Sequence, residues 1–161
     1  MSSYAQLLQS IEASSLAAAI RHSTWLYPFL EIIHILGIVL VAGAAAMFDL
    51  FLLFYFRKGT MESPAFHLLT WSKRGLLFVV PSGILLFITN AATLGFDPTF
   101  YLKLSFLALA GINAWTFHHR VYLKYTNHPQ RAFNTGRARW NAVLSLILWT
   151  AVISCGRLLA Y

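Results

Sequence analysis

Residues 25–56 read WLYPFLEIIHILGIVLVAGAAAMFDLFLLFYF, an apolar run in which only Glu31, His34 and Asp49 are ionisable within the membrane-compatible range. A helix needs about 20 apolar residues to cross the hydrocarbon core of a bilayer. The run exceeds that length, and this decides the fold class. Three further segments, 75–94, 100–120 and 140–159, meet the same requirement. The chain has 161 residues, 58% hydrophobic and 11% charged, where soluble domains run near 25% charged. A water-soluble domain of this size could not hide so much apolar surface. The expectation is a single all-α integral membrane domain, built as a four-helix up-down-up-down bundle. Pro81 should kink the second span, with neighbouring helices covering the freed carbonyl.

The bases sort by position. Arg57, Lys58, Lys73 and Arg74 bracket the first loop, and Arg120, Lys124, Arg131, Arg137 and Arg139 lie in the third, TNHPQRAFNTGRARW. Arg21, Lys103 and Arg157 lie toward the other face. The positive-inside rule then puts the basic loops in the cytoplasm and both termini outside. Trp25, Tyr27, Phe100, Tyr101 and Tyr161 would form an outer aromatic belt, and Trp71, Tyr122 and Trp140 an inner one. A net charge of +7 distributed this way is a topology signal. Nucleic acid is not an expected partner, because no basic and aromatic groove accompanies the charge on soluble sequence.

The connection LGFDPTFY reads as a tight outer turn initiated by Asp97-Pro98. The first residues lack the basic n-region of a signal peptide. Tyr4, Leu7, Leu8 and Ile11 recur at helical spacing, which predicts an amphipathic helix over 1–20 lying on the membrane surface. Cys155 is the only cysteine, so no intramolecular disulfide forms.

Ionisable groups at bilayer depth are costly and turn toward the bundle interior or a partner. Glu31 and Asp49 are separated by 18 residues, five turns of a regular helix at about 100° per residue, so they should share one face. His34 lies about 60° off that line, and Ile38, Ala42 and Ala45 fall between. Gly37, Gly43, Ala44 and Ala46 let another helix or a flat cofactor approach closely. Structural pairing explains the acids equally well: Glu31 with Lys103 or Arg157, and Asp49 with Arg74, Arg120 or His118. A buried imidazole needs partners at both nitrogens. One nitrogen of His34 would bond a carboxylate or carbonyl while the other ligates a metal, as in axial ligation of haem. Lys103 and Arg157 would suit haem propionates. No second histidine lies at that depth in the other spans, although His22 could fold back from outside.

Other polar groups have plainer readings. His118 and His119 end the third span, and with His67 and His128 an inner metal site is conceivable, though the spacing matches no standard motif. Cys155 and His34 together would suit copper, but a lone cysteine in an apolar helix is usually a small hydrophobe. Asn113 reads as an interhelical hydrogen bond. Walker, dinucleotide and zinc-peptidase motifs are missing, which sets aside phosphoryl transfer and hydrolysis.

The series WLYPFLEIIHILGIVLVAGAAAMFDLFLL, SGILLFITNAA, FYLKLSFLALAGINAWTFHH, SLILW and GRLLAY resembles a bacterial family of four-helix membrane proteins with no agreed activity. The resemblance rests on Glu31, His34, Gly43, Asp49, Gly83, Asn90, Lys103, Gly111, Asn113, His118, Gly156 and Arg157. It implies a bacterial inner membrane. More distantly, His34-x-x-Gly37 and Tyr101-Leu102-Lys103-Leu104 are similar to copper-resistance D-type domains and to the haem-containing membrane protoporphyrinogen oxidase. That likeness implies a haem b or copper site at His34 with Lys103 as a charged partner. In the oxidase pattern a histidine follows the lysine by about three turns of helix; here Asn113 and Ala114 stand in that neighbourhood.

The leading expectation is haem b bound by His34, with Glu31 orienting it or handling protons and Lys103 and Arg157 on the propionates. Its role would be electron transfer or oxidoreductase chemistry, with quinone or a redox protein as partner. The alternatives are copper handling through His34, Cys155 and His22, and a non-catalytic accessory subunit. Homo-oligomerisation is left open.

Overall fold

The computed structural model describes residues 3–54, 63–119 and 135–159. Two short helices, α1 (Ser3–Glu12) and α2 (Ser15–His22), precede the first apolar run. That run comprises α3 (Leu26–Ile38), a π-helical turn (Val39–Gly43) and α4 (Ala44–Phe54). There follow α5 (Ser63–Thr89), the single turn α6 (Ala91–Leu94), α7 (Pro98–Phe117) and α8 (Thr135–Leu158). No strand occurs among the described residues. Four helical stretches are long and apolar enough to cross a membrane: Leu26–Phe54, His67–Thr89, Pro98–Phe117 and Gly136–Leu158.

Local signals set several boundaries. The Asp97 side chain accepts a hydrogen bond from the Thr99 amide at 2.7 Å, and Pro98 opens α7. That pairing satisfies one orphan amide and presets φ for the first turn. Ser14 caps α2 through the Ala17 amide at 3.3 Å, so the helix expected over 1–20 is divided in two. The second span stops at Thr89, short of the expected residue 94, because Asn90 leaves the helical region at φ −134° and ψ 34°. α5 runs unbroken through Pro81.

The first span is the centre of the packing. α3 lies along α5, and α4 touches both α5 and α8, while α7 packs along α8. Close approach of α3 to α5 depends on glycine. A Cβ at Gly37 would stand 2.8 Å from the Val79 amide nitrogen, and one at Gly75 would stand 2.7 Å from a Val41 methyl. On the other side Ala138 and Ala142 of α8 admit Phe48 and Leu52 of α4 and Phe117 of α7 into one buried cluster. Phe48 and Phe117 meet edge to face at 5.4 Å. α5 and α7 touch where Phe87 stacks on Phe100 at 5.2 Å, but among the described residues they do not pack along their lengths. Among the described residues the α3–α5 and α7–α8 pairs therefore touch each other only sparingly in the half that carries α1 and α2.

The π turn explains why. Such a turn accommodates one extra residue, which advances everything after it by about 100°. α3 consequently faces α5, while α4 is rotated toward α8. A carbonyl in the turn, Val41 O, accepts from the Ser72 hydroxyl at 3.1 Å as well as from the Ala44 amide. The shift also breaks the expected Glu31–Asp49 stripe: Glu31 is exposed, whereas Asp49 retains 6% of its exposure.

α1 and α2 cap one end of the molecule. Leu8 is buried against Gly95, and the Tyr4 and Tyr101 hydroxyls meet at 2.6 Å. The Ala92 amide donates to the Glu12 carboxylate at 2.7 Å. Arg21 donates to the Thr89 carbonyl at 2.9 Å and lies 3.8 Å from the same carboxylate. The α5–α6–α7 turn thus receives Leu8 of α1, while Tyr4 and Leu7 of the same helix stay exposed. The opposite end carries Lys73, Arg74, Arg137 and Arg139, and is called the basic end below.

Candidate functional site

His34 lies on α3 in the capped half, half-buried against α5. Its Nδ1 is 3.1 Å from the Val79 carbonyl oxygen and 3.0 Å from Ser82 Oγ. The carbonyl can only accept. The Ser82 hydroxyl gives its own proton to the Phe78 carbonyl at 2.5 Å, so its oxygen is also free to accept. Nδ1 must then carry the proton, which leaves the lone pair of the neutral ring on Nε2. Both acceptors come from the turn around Pro81, and the ring rests on Gly83, where a Cβ would stand 2.9 Å from Cε1.

Across the gap, Lys103 of α7 is half-buried. Its Nζ would lie 3.4 Å from a Cβ at Gly156, and its charge bears on His34. Two helix pairs thus bring an imidazole and an ammonium toward one gap, each seated on a glycine. The packing that separates the pairs lets both side chains enter it.

The other expected site residues are distributed differently. Glu31 is exposed, and the polar partners of His34 Nδ1 are Val79 and Ser82. Rotation by three residues along α3 takes Glu31 about 60° away from His34. Arg157 follows Gly156 with its side chain exposed, at the same end as Lys103. His22 is exposed at the end of α2. His118 follows α7, 15 residues beyond Lys103, or about 22 Å along the axis at 1.5 Å per residue. It cannot join His34 at one metal. No group of three His, Cys, Asp or Glu side chains suited to a metal ion occurs among the described residues, so His34, Cys155 and His22 are not brought together there. His67 is exposed; His128 and Arg120 lie outside the described residues.

Asp49 does not pair with Arg74, which is exposed and lies over the Trp71 ring at 5.3 Å. The carboxyl takes a hydrogen bond from Ser145 of α8. Asn113 does make the interhelical bond expected of it. Its Nδ2 donates to the Asn141 carbonyl at 3.0 Å, and Asn141 Nδ2 returns a bond to Asn113 Oδ1 at 3.2 Å. An apolar groove lined by Trp25, Leu26, Phe29 and Ile32 lies on a face of α3 turned away from His34 and offers no ionisable side chain.

Sequence reasoning missed Val79 and Ser82. Val79 acts through its backbone, which leaves no residue-type signal. The adjacency of Pro81, Ser82 and Gly83 within a span was the available hint. No protein family, curated protein or solved structure matches the chain.

Proposed function

We propose that the chain is a multi-pass protein of a bacterial inner membrane that binds haem b between its two helix pairs, with His34 Nε2 as an axial ligand. The observation that carries this reading is the double acceptor at Nδ1. A ligating histidine characteristically donates its other ring N–H to a carbonyl or similar acceptor, which orients the ring and raises its basicity. His34 has that arrangement before any ligand arrives. Gly83 and Gly156 let the His34 ring and the Lys103 side chain lie close against their helices, and Lys103 supplies a cation for a propionate. Arg157, at the same end, would hold the second. The donor set therefore fits the group.

Bound haem would supply one-electron chemistry at a potential tuned by its axial ligand and burial. The chain's own part is to fix the imidazole through Val79 and Ser82, keep its proton on Nδ1, and place Lys103 opposite. Orientation follows from the bases, with the capped end outside and the basic end in the cytoplasm. The distant likeness to the haem-containing oxidase adds support through His34 and Lys103. Electron exchange with quinone or a redox protein is the role that this site would serve.

The test is to purify the chain in detergent after expression with ample haem, record oxidised and reduced visible spectra, and measure iron and copper per chain. Haem at one per chain, lost in His34→Ala, supports the reading. A Soret band unchanged in His34→Ala removes the ligand assignment, and a colourless chain removes the function.

A further inference from the structure

A second polar centre lies in the basic half, away from His34. Asp49 retains 6% of its exposure, and its Oδ2 is fully buried without a hydrogen-bond partner. The surroundings are the α4–α8 contact, where Phe48, Leu52, Ala138 and Ala142 form the apolar cluster. Ser145 donates to the carboxyl. Four residues earlier on the same face of α8, Asn141 bonds Asn113 and, at 3.3 Å, Thr116 Oγ1. Polar side chains thus lead along the α7–α8 seam from the basic end toward Asp49.

The charged groups of the neighbouring helices turn elsewhere. On α5, Lys73 and Arg74 are exposed; on α8, so are Arg137 and Arg139. The π turn contains no titratable residue, and His118 is half-buried at the end of α7. None of these bears on the Asp49 carboxyl among the described residues. An ionised carboxylate here would be desolvated without a counter-charge, whereas a neutral acid avoids most of that penalty. Intramembrane acids of this kind are characteristic of proton pathways.

We propose that Asp49 is a proton-binding site in the α4–α8 seam, where burial without a counter-charge holds the carboxyl as a neutral acid that exchanges its proton with the basic end. The site is independent of the His34 reading and needs no cofactor.

The chain contains two aspartates, Asp49 and Asp97, so selective labelling with 13Cγ-aspartate gives an assignable test on the unaltered protein in lipid nanodiscs. Asp97, the N-cap of α7, is the internal reference. The expected result at neutral pH is one protonated and one ionised carboxyl signal, with the protonated one moving reversibly to the ionised position as pH rises. Asp49→Asn removes that signal and leaves Asp97 unchanged; Ser145→Ala shifts it. Two ionised signals at neutral pH would overturn the proposal, as expected if a base from residues 120–134 pairs with Asp49. A protonated signal that never titrates while the fold survives would also overturn it. Sodium or potassium titration at fixed pH should leave the signal in place; displacement by either ion would make this a cation site instead.

Discussion

The two halves of the first span carry one acid or base each toward the interior, and they treat it differently. In α3, His34 has both its donor proton and its ring plane fixed by α5, through the Val79 carbonyl and Ser82 on one edge and Gly83 beneath. In α4, Asp49 has one serine and a buried oxygen with no partner. One half is preorganised around an open gap; the other is closed around an incompletely satisfied group. The π turn between them makes this division possible, because it lets the same helix face α5 above and α8 below. A straight helix would have put Glu31 and Asp49 on one face and presented a single stripe.

The comparison breaks most severely at the α3–α5 contact. Gly37→Leu drives side-chain atoms into the Val79 backbone, and overpacking of this kind costs about 3 kcal/mol. Unfolding in mixed micelles should show that loss, together with release of the His34 ring from its acceptors. A milder change is Gly83→Ala, which leaves the helix contact but displaces the imidazole, at a cost of about 1–2 kcal/mol. Its informative readout is the 15N spectrum of the histidines: the signature of an Nδ1-protonated ring at His34 should weaken. If that signature is unchanged, Gly83 does not seat the ring.

In the other half, Asn141→Ala removes the reciprocal amide pair between α7 and α8. Interhelical polar pairs in membranes are worth about 0.6–1.7 kcal/mol, so a loss near 1 kcal/mol is expected, without effect on the His34 tautomer. A response of His34 to this substitution would contradict the separation of the two halves.

The smallest effect belongs to the cap. The hydrogen bond to the Tyr101 hydroxyl, more than burial, holds the Tyr4 phenol above its ordinary value of 10.0. A raised value means that the folded state keeps the proton longer than the unfolded chain does. The contribution of Tyr4 is therefore present below pH 10.0 and is lost as pH rises through the folded value. Amide exchange in α1 should accelerate over that alkaline window and lose this pH step in Tyr4→Phe.

How far the sequence reached follows from the same division. Apolar length alone located four membrane-length helices, since hydrophobic runs of this size have few alternatives. Their ends were displaced by particular residues: Asn90 ended α5 early, and Asp97-Pro98 started α7 at Pro98 rather than residue 100. His34 and Lys103 were visible as ionisable groups in apolar sequence, and they do approach the same gap. The grouping of Glu31 with Asp49 on one face depended on unbroken 3.6-residue periodicity. A π turn inside VLVAG has no distinctive composition, so the register shift was not legible. Asp49 was seen as an intramembrane acid, but its partner was sought among arginines because charge pairing is easier to read than a serine one helix away.

The most direct test of the account is chemical rescue at the proposed ligand. His34→Gly should abolish haem retention and the Soret band of the purified protein while the chain remains folded. Added imidazole, diffusing into the vacated space beside Gly83, should restore both. If His34→Gly binds haem with the spectrum of the unaltered chain, His34 is not the ligand and the proposed site is wrong.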